Sequence, residues 1–415
     1  MYVAQKVLFA LVLFISGDKL QSLASENEVH VKQKSSILHS KNDFVDLSKS
    51  HGYAAEEHTV KTDDGYLLTL HRIPRGVKAQ KNSKGVVFLL HGLLCSSVDW
   101  IILGPQSALA FLLAEEGYDV WLGNARGNTF SRRHVSRGVK SKAFWKFSWH
   151  EIGIYDLPAM IDYALNATRQ TSLHYIGYSQ GSTAFLVMAS MRREYMKKVS
   201  MFQALGPAVY LSNTRSFVVR TLAPFTSQFQ MLNSILGTTE FLPRGTLLDS
   251  ASKLFCHLHS PIKILCSNIL FLMAGFDSEQ IDMKLLPTIL AHSPAGASVN
   301  QIVHYLQCVK TGKFSLFDYG SSENMVKYNA TTPPEYPIEQ MTVPTVIHYG
   351  LNDVFCSVTD VQKLIQKLPN VVGNYSVPFA KFNHLDFIYA KRARELVYDR
   401  VIENLTNNLE NNIES

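Results

Sequence analysis

Gly177-Tyr178-Ser179-Gln180-Gly181 sets a serine between two glycines, after the apolar run Ser172-Leu173-His174-Tyr175-Ile176 and before the helix-like Thr183-Ala184-Phe185-Leu186-Val187-Met188. A strand that breaks sharply into a helix with serine at the break is a nucleophile elbow. Residues without Cβ beside the serine let strand and helix pass closely and push the hydroxyl outward. A surface Gly-Ser turn would carry the same five residues, so the flanking strand and helix patterns are what favour a nucleophile.

Such a serine needs a base and the base an orienting acid, in the chain order Ser, Asp or Glu, His. The apolar Pro344-Thr345-Val346-Ile347-His348-Tyr349-Gly350 reads as a late core strand, with Leu351-Asn352-Asp353 after it. Beyond Asp353 the chain has a single histidine, His384, in Phe382-Asn383-His384-Leu385-Asp386-Phe387. Ser179 as nucleophile, His384 as base and Asp353 as orienting acid follow. Asp360 is the rival acid, but Thr359-Asp360-Val361-Gln362 looks like a helix start with an ordinary N-terminal carboxylate. The oxyanion of an acyl-transfer intermediate needs preorganised N–H donors. The Gln180 amide is one; Leu93, in the loop that Val86-Val87-Phe88-Leu89-Leu90 feeds through His91-Gly92, would supply the other, although by type Leu93 and Leu94 read equally as core leucines and only their position after His91-Gly92 favours the role. His91 itself reads as a packed histidine at a strand end.

These motifs resemble those of the animal acid lipases, the family of gastric and lysosomal acid lipase. The likeness runs through the segment from Glu57 to Pro74, His91-Gly92-Leu93-Leu94, Asp119-Val120-Trp121-Leu122-Gly123-Asn124-Ala125-Arg126-Gly127-Asn128, Phe144-Trp145 to Ala159, the elbow, and Asn383-His384-Leu385-Asp386-Phe387. It implies an α/β-hydrolase core, a helical cap with a mobile lid, hydrolysis of triacylglycerol or sterol esters at an emulsion or membrane surface, and the roles above for Ser179, Asp353, His384, Leu93 and Gln180. It also implies a Cys256–Cys266 disulfide. A carboxylesterase or thioesterase acting on soluble esters would use the same triad, and a silent lipid carrier would have no need of it.

The elements that position these groups are α/β in character. Strands are expected near Val86 to Leu90, Tyr118 to Leu122, Leu173 to Gly177, Met201 to Leu205, Thr345 to Tyr349 and Tyr375 to Pro378. From about 206 to 341 the alternation stops and helix-like stretches follow, among them Ser250 to His259 and Pro261 to Ala274. An insertion there belongs above the site as a cap. The division expected is therefore a leader over 1–24, a core over 25–205 and 342–402, a cap over 206–341, and a polar, frayed tail over 403–415. In the cap, Phe217 to Leu232 is rich in apolar residues, equally consistent with cap packing and with a lid that meets lipid.

Lys6 followed by the apolar run Val7 to Ile15 reads as a secretory signal, too short to span a membrane. No later segment is a candidate span, so a soluble monomer, secreted or lysosomal, is expected. Export makes the sequons at Asn166, Asn329, Asn374 and Asn404 candidate glycosylation sites. Of the remaining cysteines, Cys95 and Cys356 read as buried free thiols, with Cys308 unassigned. No zinc spacing and no phosphate loop are present, so neither metal nor cofactor is expected. The formal charge of +6 over 415 residues is spread without a basic stripe, which argues against nucleic acid. Charging all fifteen histidines in acid would more than triple it and favour anionic lipid surfaces.

Overall fold

The computed structural model describes residues 43–77, 84–236, 239–241 and 279–414. The expected leader, the Cys256–Cys266 pair and the helical stretches at 250–259 and 261–274 lie outside them.

Runs of β-branched and aromatic residues form the strands β1 (Glu56–Lys61), β2 (Tyr66–Ile73), β3 (Val86–Leu90), β4 (Asp119–Gly123), β5 (Arg133–His134), β6 (Leu173–Tyr178) and β7 (Val199–Leu205), a short ribbon of β8 (Glu240–Phe241) and β9 (Ala297–Ser298), then β10 (Thr345–Tyr349) and β11 (Val371–Ser376). One nine-stranded sheet runs in the order β1-β2-β4-β3-β6-β7-β10-β11, with β5 beside β2. Pairing is parallel from β4 through β11, and antiparallel where β1, β2 and β4 meet. Every residue of β3 and β6 is buried, as continuous apolar runs covered on both faces must be. Alternate side chains feed two cores. Phe88, Trp121, Tyr175 and Phe202 meet helices α1 (Leu157–Thr168) and α2 (Gln180–Met191). Val87, Leu89, Val120, Leu122 and Ile176 face the opposite layer, which includes Val401 and Leu405 of the C-terminal helix Asp399–Glu414.

The segment between β7 and β10 carries α3 (Phe217–Leu222), α4 (Thr226–Leu236) and α5 (Val299–Thr311). The apolar run from Phe217 divides here: Leu222, Ala223 and Phe229 pack with Val299, Val303, Leu306 and Phe317, whereas Phe217 and Met231 stay 60% and 62% exposed. A capping box starts α5, with the Ser298 hydroxyl accepting from Asn300 N–H and the Gln301 side chain accepting from Ser298 N–H. The His304 ring stacks on Trp149 with centroids 3.5 Å apart.

Two expectations need correction. The last strand begins at Val371 and ends before Pro378, because it is an edge strand with alternating half-buried and exposed residues that an apolar run does not mark. The tail is not frayed from Glu403: the helix continues to Glu414, held by Val401 and Leu405, whose side chains are fully buried. Asn166, Asn329 and Asn374 are exposed. Asn404 instead turns its amide inward to donate to Gln203 Oε1 at 3.2 Å, which disfavours a glycan there.

A buried ion cluster ties the β1–β2 turn to the β4 loop and α1. Arg126 grips both oxygens of Asp64 at 2.6 and 2.8 Å, binds Asp156 at 2.7 Å, and lies 4.0 Å from the centroid of Tyr66. The guanidinium and Asp156 are shut off from water, while Asp64 keeps 24% of its side chain exposed. Truncating Arg126 strands the buried Asp156 carboxylate, and breaking a buried pair from one side costs about 3–5 kcal/mol. Arg126→Ala is thus expected to unfold at markedly lower denaturant than the parent, with an unchanged slope; an unchanged midpoint would contradict the cluster's role.

Burial also pushes several imidazoles down, His174 to about 4. Its Nδ1 is buried without a hydrogen-bond partner among the described residues. Since the unfolded chain binds the proton near the ordinary ~6.5, His174 contributes stability that is full above that pH and declines as pH falls toward about 4. His174→Phe is expected to flatten that decline while changing the stability at pH 7 little, as read from denaturation midpoints across the window.

Candidate active site

At the end of β6 the chain turns so abruptly that Ser179 takes φ 50° and ψ −114°, outside the ordinary regions for a residue with a side chain. Three bonds hold the turn: Ser179 N–H donates to Leu205 O on β7 at 2.9 Å, Ser182 Oγ–H to Gly177 O at 2.6 Å, and Tyr175 O–H to Gly181 O at 2.9 Å. A Cβ on Gly181 would strike the Leu90 carbonyl, and one on Gly177 would stand 2.7 Å from the Gly181 backbone. Glycine here is a matter of approach, letting α2 cross the strand ends.

β10 ends at Tyr349 and delivers Asp353 into the loop before the helix Val358–Lys367. Asp353 Oδ1 accepts from the Phe355 and Cys356 amides at 2.9 and 2.8 Å. Its Oδ2 lies 2.7 Å from His384 Nδ1, and His384 Nε2 lies 2.8 Å from Ser179 Oγ. A carboxylate can only accept, so the proton sits on Nδ1 and leaves Nε2 free to accept from the serine. The His384 turn is fixed locally: Asp386 accepts from Asn383 N–H at 2.7 Å, Asn383 Oδ1 from Leu385 N–H at 2.9 Å, and the His384 carbonyl from Tyr178 O–H at 2.9 Å. Asp360, the rival acid, spends its carboxylate elsewhere, on Asn213 N–H at 2.9 Å and Ser357 Oγ at 3.0 Å.

The loop after β3 passes beside the serine. A Cβ on Gly92 would lie 3.2 Å from Ser179 Cβ. His91 faces away: its Nε2 accepts from Ala125 N–H at 3.1 Å and its Nδ1–H meets Gly92 O at 2.7 Å, with burial holding it near pKa 4. Leu94 takes φ 63°, and a capping box of Ser96 and Asp99 closes the loop. Neither the Leu93 nor the Gln180 amide donates to another group among the described residues. The Gln180 side chain is met by Gln301 Nε2 at 3.1 Å. Cys95, Cys308 and Cys356 are buried free thiols. The Cys356 thiol donates to Gly206 O at 3.3 Å and sits 3.8 Å from His384 Nδ1. Asp353, Cys356 and His384 offer atoms within 4.8 Å of one another, yet a cation there would displace the proton joining acid to imidazole.

So the structure brings Ser179, His384 and Asp353 into one hydrogen-bonded line, with Gln180 next to the serine in the chain and the Gly92 turn passing close to it. Sequence reasoning missed Tyr178 as the hydroxyl that holds the histidine turn, and Gln301 as the neighbour of Gln180. The Ser-x-x-Gln capping pattern at 298–301 marks the start of α5, not what its glutamine touches.

Comparison with known proteins agrees with this geometry. Residues 44–104 match the partial α/β-hydrolase lipase region and residues 85–391 the α/β-hydrolase fold. The chain is 46% identical to Lipase 3 of Drosophila melanogaster, over 85% of this chain and 90% of that protein. It is 40% identical to human gastric triacylglycerol lipase, over 85% and 87% respectively, and 38% identical to human lysosomal acid lipase/cholesteryl ester hydrolase, over 93% of each. A monoglyceride lipase structure from Saccharomyces cerevisiae superposes with a TM-score of 0.55 at 15% identity, covering 86% of this chain and 95% of that one, a likeness of fold. With its fold, its elbow and relatives matched over most of their length, the chain belongs to the α/β-hydrolase lipase family that contains gastric and lysosomal acid lipase.

Proposed function

We propose that the protein hydrolyses neutral-lipid esters, triacylglycerol or sterol ester, through an acyl intermediate on Ser179. The unbroken line from Ser179 Oγ to His384 to Asp353, at 2.8 and 2.7 Å, carries this reading. Ser179 Oγ attacks the ester carbonyl carbon as its proton passes to His384 Nε2, and the carbonyl oxygen takes the negative charge. The Leu93 and Gln180 amides receive that oxyanion. Collapse breaks the bond to the alcohol, which leaves with the proton from His384; water then repeats the sequence and releases the fatty acid. Asp353 stays ionised, fixes the tautomer and offsets the imidazolium charge. No cofactor enters these steps.

The residues between β7 and β10, about 206–341, serve as the cap. Phe217 and Met231, exposed on its surface, favour action at a lipid interface over a soluble-ester esterase. No helix among the described residues is long and apolar enough to cross a membrane. Secretion or delivery to lysosomes fits the relatives named gastric and lysosomal lipases, and the exposed sequons at Asn166, Asn329 and Asn374 offer places for glycans on an exported chain.

The test is hydrolysis of emulsified triacylglycerol, emulsified sterol ester and a soluble short-chain ester between about pH 4 and 8. Ser179→Ala is expected to abolish turnover and fluorophosphonate labelling, and Asp353→Asn to lower kcat by about 10⁴-fold through the wrong tautomer. Activity that survives in Ser179→Ala refutes the mechanism. Phe217→Ser combined with Met231→Ser is expected to lose the preference for emulsions while the soluble-ester rate holds; equal loss on both substrates would favour the esterase.

A further inference from the structure

One short stretch of the cap, Ala295 to Gln301, touches both Leu94, next to Leu93, and the side chain of Gln180, the two loops assigned above as oxyanion donors. Ala295 N–H donates to Leu94 O at 2.6 Å, and Ala295 O accepts from Thr129 Oγ1 at 3.0 Å. Six residues on, Gln301 reaches Gln180. The orientation of the Gln301 amide is determined: its Oε1 must accept from Ser298 N–H at 2.7 Å, which leaves Nε2 to donate to Gln180 Oε1 at 3.1 Å. Both glutamines are 3% exposed. A glutamine serving only as a helix cap has no reason to bury its second polar group against the residue after the nucleophile. One turn further along α5, Tyr305 O–H meets Thr183 Oγ1 at 3.0 Å, so α5 is fastened to α2 at two points on one face.

From this we infer that Gln301 is a positioning residue for the oxyanion site. By fixing the Gln180 side chain it holds the Gln180 peptide, and through Ala295 the same cap segment holds the Leu93–Leu94 turn. The two donors come from different core loops, and this segment of the cap joins them. The inference rests on the Ser179 mechanism above. Hydrogen-bond donors to a developing oxyanion are useful only in fixed positions, so the expected effect falls on turnover more than on substrate binding.

The experiment measures kcat and KM on the soluble short-chain ester, with denaturation midpoints, for four full-length variants: Gln301→Met, Gln180→Met, their double mutant, and Ser298→Ala. Ser298→Ala removes the capping hydroxyl, which bonds Trp145 O at 2.6 Å and receives the Asn300 and Gln301 backbone amides, but leaves the Gln301 side chain both its partners, the Ser298 amide and Gln180 Oε1. The expected result is a kcat about tenfold lower in Gln301→Met at nearly unchanged KM. Its midpoint should drop no further than that of Ser298→Ala, which should lose less kcat. The double mutant should be no slower than the slower single one, because both remove the same contact. Wild-type kcat in Gln301→Met, equal loss in Ser298→Ala, or additive losses in the double mutant would each overturn the inference. Failure of the Ser179 mechanism would be told apart by undiminished turnover in Ser179→Ala.

Discussion

The backbone of Ser179, held at φ 50° and ψ −114°, is the constraint on which the rest of the architecture depends. A side-chain-bearing residue in such a region costs about 1–3 kcal/mol and persists only where its surroundings over-determine it. Here they do. β7 accepts its amide proton, and β3 brings the Leu90 carbonyl so near that only glycine fits at position 181. The parallel order β3-β6-β7 is what places those two strands on either side of β6. One strand further, β10 ends beside β7 and hands Asp353 to the same end of the sheet, where His384 closes the line.

That dependence also explains what could be read from the chain. Ser179, Asp353 and His384 were legible because their neighbours are forced: glycine flanks the serine, an apolar strand precedes the acid, and one histidine remains after it. The buried strands β3, β6 and β10 were legible as unbroken apolar runs. β11 and β5 were not, since edge and two-residue strands take their place from their partners rather than from their own pattern. The helix through Glu403 was hidden for a related reason: its asparagines and charges suggest fraying, while Val401, Ile402 and Leu405 pack on the core and Asn404 bonds Gln203. Contacts such as Gln301 with Gln180, 121 positions apart, have no local signature at all.

Burial likewise changes the charge argument. Composition alone lets every histidine titrate together, yet His71, His91, His150, His174, His304 and His348 all have their proton affinity lowered by burial. His304 lies against Trp149, and His348 donates to Gln203 at 3.0 Å, each a packed core position. Those held at about 3 to 4, His91, His174, His304 and His348, stay neutral in mildly acid solution, so the positive charge available to attract an anionic lipid surface grows less than the count of histidines implies. The same rings charge freely once the chain unfolds, so acid draws the equilibrium toward the unfolded state. A fold of this design that works in acid must offset that pull with interactions indifferent to proton concentration. The two apolar cores packed on either face of the sheet are such interactions, because none of the side chains that form them changes charge in acid. Stability in acid therefore rests on the packing of β3, β6 and their covering helices, the same elements that hold Ser179 in its strained turn.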